Sequence, residues 1–300
     1  MGIALGLIGH GEVGAIFGRG LRGQPGIDRI AAWDIRFAGA ATGEAARAEA
    51  EAHGVHAASG MAALCAGADL LVSAVTASQT LAVAEEAARH ARAGTRFLDL
   101  NSASPGTRQR AAEALRAAGV DYVEAGVMTS VPPYGIRVPM LLGGPQAGAL
   151  AAMLDGWGMD ATAVSDTLGV ASAIKMSRSI MIKGLEALVI ESFTTARRHG
   201  VEAQMLATLS ETFPQIDWPR QGAYFFSRVV QHGRRRAEEM HEAARTVREA
   251  GFAPLMAEAI AGRQDAVAQQ ARAGLFDGLD ARCAWQDYAD RLIAQADGQA

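Results

Sequence analysis

Two cysteines, Cys65 and Cys283, stand in a chain of 300 residues. That is too few for a disulfide framework, and no Cys, His or acidic cluster has metal-ligand spacing, so no metal is expected. Both thiols read as packing residues of a reduced, cytoplasmic protein. No apolar run approaches the roughly 18 residues that span a bilayer. The apolar start is interrupted by glycine and lacks the basic lead of a secretory signal. Positive charge is not in excess either: the formal net charge is −4, which gives no global attraction to nucleic acid or to an anionic membrane surface. No internal repeat or low-complexity linker is evident. The expected partner is a small-molecule substrate.

What is present is a composition for a packed, folded chain, 50% hydrophobic and 20% charged, long enough for about two domains. In the first half, short apolar runs alternate with helix-like segments. Strands are expected near residues 3–8, 30–34, 70–74, 96–99, 121–124 and 138–142, in a mixed sheet whose early strands are parallel. Strand signals stop after about Val164. Residues 171–199 read as one long helix ended by Gly200, and the remainder as helices broken near Pro214, Pro219, residues 251–254 and Gly274.

Between the first strand-like run and the helix that follows it, Gly9, His10, Gly11, Glu12, Val13 and Gly14 form a G-x-G-x-x-G pattern. Gly9 suits the tight turn out of the strand, Gly11 the approach of a pyrophosphate to the backbone, and Gly14 close packing of helix on sheet. Phosphates would lie on the helix N-terminus, where unpaired N–H groups and the dipole favour negative charge. Asp34 ends the second run twenty residues beyond Gly14. There a carboxylate accepts hydrogen bonds from both ribose hydroxyls of NAD and repels the 2′-phosphate of NADP. Arg36 reads as a solvated surface side chain, the alternative being a turn toward a phosphate. NAD is expected over NADP. The fold class is therefore α/β: a Rossmann-type NAD-binding domain over residues 1–164, joined by a long helix to an all-α substrate and dimerisation domain over residues 165–300.

Residues 167–184 read Thr-Leu-Gly-Val-Ala-Ser-Ala-Ile-Lys-Met-Ser-Arg-Ser-Ile-Met-Ile-Lys-Gly. Small residues precede Lys175, which has Ala171, Ala173, Ile174, Met176 and Ile180 around it; a lysine on so apolar a helix needs a reason to be tolerated. The segment resembles the active-site motif G-x-x-G-x-G-x-x-x-K-x-x-x-N of the β-hydroxyacid dehydrogenases, the family of 6-phosphogluconate and 3-hydroxyisobutyrate dehydrogenases. The resemblance implies that Lys175 is the general acid/base, and it places Ser179 where the family has asparagine. Ser73-Ala74-Val75-Thr76 closes a strand where the family packs the nicotinamide ribose, which makes Ala74, Val75 and Thr76 cofactor contacts. Residues 98–105 resemble the segment D-x-S-T-x-x-P, with Asn101 on the nicotinamide side. Residues 124–130 align with the substrate motif D-x-P-V-S-G-G, with Met128 in place of serine and Thr129 and Ser130 in place of two glycines. Together with Val131-Pro132-Pro133-Tyr134-Gly135, they look like the branch whose C-terminal half is a domain of unknown function related to phosphogluconate dehydrogenase.

What the resemblance implies is an NAD-dependent oxidoreductase that moves a hydride between a hydroxy acid or related alcohol and the nicotinamide, with Met128, Thr129, Ser130, Ser179 and Lys183 toward substrate. A free lysine, with a pKa of about 10.4, is mostly protonated at neutral pH, so a lysine base needs its pKa lowered. Lys183 lies eight residues along the same helix face, about 12 Å at 1.5 Å per residue, so burial and the positive nicotinamide ring are the expected causes. Lys183 itself reads equally as a substrate-anion contact or a solvated charge. Met128 donates nothing and accepts weakly, which favours substrates with an apolar or aromatic group beside the carbinol.

The run from His232 through Arg234, Arg235, Arg236, Glu238 and Glu239 reads as a solvated helix face with local partners. The alternative is that His232 and one arginine grip a substrate anion, in this subunit's site or a partner's. The apolar helix surface of the C-terminal half suggests a homodimer. Two other functions share the plan, an imine reductase and a non-catalytic NAD-binding sensor; the lysine at the acid/base position argues for alcohol and carbonyl chemistry.

Overall fold

The structure, a computed structural model, describes residues 2–39 and 41–299. The chain divides into two compact units, one ending at Met176 and the other beginning at Ser177.

In the first unit the run Ile-Ala-Leu-Gly-Leu-Ile forms β1 (Ile3–Ile8), buried over most of its length, as expected of a strand covered on both faces. The chain continues through α1 (Glu12–Leu21), β2 (Ile27–Trp33), α2 (Gly43–Ala52), β3 (His56–Ala57), α3 (Met61–Gly67), β4 (Leu70–Ser73), α4 (Thr80–Ala88), β5 (Arg96–Asp99), α5 (Pro105–Ala117), β6 (Asp121–Val127), β7 (Met140–Gly143), α6 (Ala147–Asp155) and β8 (Ala161–Ser165). The sheet order is β3-β2-β1-β4-β5-β6-β7-β8. Every neighbouring pair is parallel except β6 and β7. Side chains alternate across the sheet: Leu5, Leu7, Phe17, Val72 and Leu98 pack in one core, and Ile8, Leu71, Phe97 and Leu115 in the other. The strand order reverses at β1 and β4, the switch point where the carboxyl ends of parallel strands leave a crevice for a ligand.

All six expected strands are present, with β2 starting earlier, at Ile27, β6 running on to Val127 and β7 starting later, at Met140. Two strands had no legible signal. β3 is a two-residue strand, and β8 is an edge strand with mostly exposed side chains, so it carries no apolar alternation.

α7 (Val170–His199) ends at Gly200, whose φ of 68° is the left-handed turn that glycine permits. It is followed by α8 (Glu202–Thr212), α9 (Trp218–Glu249), α10 (Leu255–Arg272) and α11 (Trp285–Gln299). The break expected near Pro219 falls just before it, between Thr212 and Trp218. Asp217 caps α9 by accepting the Arg220 N–H at 3.2 Å, and Pro219 stands in the first turn, where the missing N–H loses no helical bond. The second unit's core joins Phe193, Trp218, Phe226, Trp285 and Tyr288, with the Phe193 and Trp285 rings edge to face at 4.9 Å. The architecture is a Rossmann-type α/β domain followed by an all-helical region. Among the described residues no helix is long and apolar enough to cross a membrane.

Candidate active site

The three glycines of the β1–α1 turn do three different things. Gly9 has a φ of 94°, and a Cβ there would stand 2.5 Å from the Ala74 carbonyl oxygen at the exit of β4. Gly14 lies so near the strand that a Cβ would stand 2.1 Å from the Gly9 oxygen. Gly11 faces open space, with nothing within 4 Å of an added Cβ, and it begins α1 without a side-chain cap. An accessible backbone before an uncapped helix N-terminus fits a pyrophosphate. Glu12 is exposed and Val13 half-buried beside it.

Asp34 follows β2, 11% exposed, with both oxygens engaged. Oδ2 accepts the His10 N–H at 2.7 Å, and Oδ1 accepts the Arg36 N–H and Nε, each at 2.9 Å. Burial alone would raise its pKa, but the bonds from Arg36 and His10 outweigh that and hold the carboxyl below its ordinary value. Arg36 is thus an ion-pair partner that also donates to the His10 carbonyl, not a free solvated side chain. The His10 ring is buried against Phe37 and His53, and burial lowers its pKa.

At the carboxyl ends of β4 and β5, Asn101 accepts the Val75 N–H at 2.7 Å through Oδ1 and donates to Ser73 Oγ at 3.0 Å. It therefore fixes the loop that carries Ala74, Val75 and Thr76. Beneath lies a buried network that sequence reasoning missed. Arg108, on α5, pairs with Asp99 at 2.8 Å, both fully buried. It also donates to the carbonyls of Asn101 and Ala125 and to the Tyr122 hydroxyl. Burial opposes its charge, but Asp99, Tyr122 and Glu124 overcome this and raise its pKa.

Lys175, 9% exposed, lies in the second turn of α7. It packs over Gly126 of β6, where an added Cβ would meet the Ala171 oxygen at 3.1 Å, Lys175 Cβ at 3.4 Å and Met128 Sδ at 3.7 Å. The structure therefore brings Lys175 and Met128 onto one spot, with Thr129 and Ser130 continuing the chain at the mouth of β6. Glu124, the first residue of that motif, is held on the inside. It is fully buried, and its Oε1 accepts the N–H groups of Gly169 and Ala171 at 2.8 and 3.0 Å.

In the second unit Lys183 is 6% exposed. Its Nζ lies 2.8 Å from Glu239 and 3.3 Å from Ser179 Oγ. The solvated reading of Lys183 is therefore set aside. The charge run on α9 is likewise only partly a solvated face. Arg234 pairs with Glu238 one turn on, but Arg236 is buried, doubly bonded to the buried Glu186, which Gln264 also approaches at 3.2 Å. Burial and the neighbouring Arg228, Arg235 and Arg236 push the His232 pKa down to about 4.

Residues 12–154 match the family model for the NAD binding domain of 6-phosphogluconate dehydrogenase, and residues 196–267 match the domain of unknown function DUF1932. The chain belongs to the β-hydroxyacid dehydrogenase family. Its N-terminal domain binds a nicotinamide cofactor, and its family is one of oxidoreductases. A conserved hypothetical protein from Sinorhizobium meliloti 1021 is 38% identical in sequence, over 97% of this chain and 96% of its own, with a TM-score of 0.76. A conserved protein of unknown function, described as structurally similar to 3-hydroxyacid dehydrogenases, is 29% identical over 90% of this chain and 98% of its own, with a TM-score of 0.68. A 3-hydroxyisobutyrate dehydrogenase of Mycobacterium tuberculosis, determined with L-serine, shares the fold at 15% identity, over 97% of this chain and 99% of its own, with a TM-score of 0.72.

Proposed function

We propose that this member of the family interconverts a hydroxy acid or related alcohol and its carbonyl with NAD, and that Lys175 is the general acid/base. The observation that carries the reading is the burial of Lys175 against Gly126 and Met128, in the same compact unit as the glycine turn and Asp34. A lysine kept buried on a dehydrogenase scaffold is well suited to handling a proton.

The nicotinamide, when bound, supplies the hydride acceptor or donor. Gly9, Gly11 and Gly14, with the N–H groups of α1, hold the pyrophosphate. Asp34, kept ionised by Arg36 and His10, takes the ribose hydroxyls and favours NAD. Asn101 holds Val75 in place on the nicotinamide side. Lys175 takes the hydroxyl proton in oxidation and returns it in reduction. Ser179 and Lys183 follow Lys175 at four-residue intervals, so they lie on one face of α7. Ser179 receives a hydrogen bond from Lys183 and keeps its own hydroxyl proton to offer a polar group of the substrate. With its charge offset by Glu239, Lys183 acts through Ser179 more than as an anion trap. Thr129 and Ser130 supply further hydrogen bonds, and Met128 an apolar surface.

The division of labour places cofactor binding in residues 1–164, and substrate binding and dimerisation in residues 165–300. Exposed Met181, Leu185 and Leu188 along α7 support a homodimer. The free thiols of Cys65 and Cys283 support a cytoplasmic location. The test is an NAD-coupled absorbance screen of hydroxy acids, sugar acids and cyclic imines. Turnover of a hydroxy acid is expected. Turnover of imines alone, or NAD binding with no turnover at all, would contradict the proposal.

A further inference from the structure

Resting on the reading of Lys175 as acid/base, we infer that Glu124 is a positioning residue for it, fixing the first turn of α7 through the amides of Gly169 and Ala171. Its alignment with a substrate motif suggests substrate contact. Its burial forbids that, since none of its surface is exposed.

The first N–H groups of a helix have no backbone partner, and a carboxylate there also meets the positive end of the dipole. Oε1 accepts two of them, from residues 45 and 47 positions further along the chain. The strand is shaped to allow it. Gly143 pairs with Glu124 across β6 and β7, and a Cβ at Gly143 would stand 2.6 Å from that same oxygen. Two residues along the same strand face, Gly126 lies beneath Ala171 and Lys175, where an added Cβ would stand 3.1 Å from the Ala171 oxygen and 3.4 Å from Lys175 Cβ. β6 therefore grips α7 twice, at its first turn by hydrogen bonds and one turn later under the lysine itself.

The segment leading into α7 is held as well. Gly169 has a φ of 101° and fits against Pro105, 3.2 Å from an added Cβ. Gln109 donates to the Leu168 carbonyl at 3.4 Å. The arrangement has a cost: the second oxygen of Glu124, Oε2, is buried without a hydrogen-bond partner. A buried polar atom left unpaired calls for an explanation, and the placement of Lys175 supplies one.

The test uses the full chain with E124Q, E124A and G143A. Two quantities are read: hydrogen exchange at residues 169–173, and the rate at which acetic anhydride acylates Lys175 with and without saturating NAD. Gln keeps an acceptor oxygen, so E124Q is expected to retain slow exchange and NAD shielding of Lys175. E124A is expected to speed exchange at Gly169 and Ala171 by about fivefold to tenfold, the scale of a lost cap. It should also lose most of the shielding while the Kd for NAD stays near that of the parent. G143A displaces the carboxylate without removing it and should behave as E124A does, which keeps the test open if E124A fails to fold. Unchanged exchange in both variants, or shielding lost only in step with NAD affinity, would overturn the inference. Absence of shielding in the parent protein would instead overturn the Lys175 reading and this inference with it, while the exchange data would still show whether Glu124 holds the helix.

Discussion

Arg36 closes on Asp34: its Nε stands 2.9 Å from Oδ1 of the carboxylate that we propose receives the cofactor's ribose. On that proposal, the pair would lie where NAD and NADP differ by one phosphate. Asp34 is ionised but partly offset, so discrimination against the 2′-phosphate is weaker than a lone carboxylate would give.

NAD is therefore expected to exceed NADP in kcat/KM, and R36A to widen the gap by removing the cation a phosphate could recruit. D34A should narrow or invert it. Steady-state kinetics with both cofactors checks this. A preference for NADP in the parent chain would show that the arginine outweighs the aspartate.

Arg108 and Asp99 form a fully buried ion pair. R108M leaves Asp99 charged and unpaired in the interior, which costs about 3–5 kcal/mol on the scale of broken buried pairs. Denaturant unfolding measures it. A loss below about 1 kcal/mol, the scale of an exposed pair, would mean that the network is not what secures β5, β6 and Asn101.

The pKa of His232, lowered to about 4 by burial and by Arg228, Arg235 and Arg236 with Glu239 opposing, makes a pH prediction. An unfolded imidazole titrates near 6.5. Between those values the unfolded chain takes up a proton that the folded one refuses, so stability is fully present above about 6.5 and falls as the pH drops toward 4. H232Q should therefore narrow the difference in Tm between about pH 7.5 and pH 5. Equal differences in the two proteins would contradict the assignment.

The substrate side follows from Met128, whose Sδ lies 3.7 Å from a Cβ built on Gly126, beside Lys175. A thioether offers no donor to a carboxylate but good contact to an aromatic ring. Aryl-substituted 3-hydroxy acids should show higher kcat/KM than 3-hydroxyisobutyrate or 6-phosphogluconate under identical conditions. A wide margin for the small or phosphorylated acids would end the apolar-pocket idea.

How much of this was legible in the sequence depended on how far apart the partners lie. Gly9, Gly11 and Gly14 answer to local backbone demands, so their spacing announced the turn that the structure contains. Lys175 stood out as a charge on an apolar helix, and Gly200 marked that helix's end. Glu124 went unassigned as anything but the first residue of an aligned motif, because its partners are 45 and 47 residues away and no local pattern connects them. Nothing local singled out Arg108, since its fixed surroundings come from β5 and β6. Arg236 read as a surface charge, and Lys183 equally as that or as a substrate contact, for the same reason: Glu186 and Glu239, which permit their burial, lie on the facing helix. β8 lacked a signal because an edge strand has little to bury.

The most direct measurement is turnover by K175A against the parent chain, with NAD affinity measured in both. The expected result is a fall in kcat of roughly 10²- to 10⁴-fold, the contribution of a positioned acid/base, with the Kd for NAD nearly unchanged. A variant that turns over at close to the parent rate would contradict the central claim that Lys175 carries the proton.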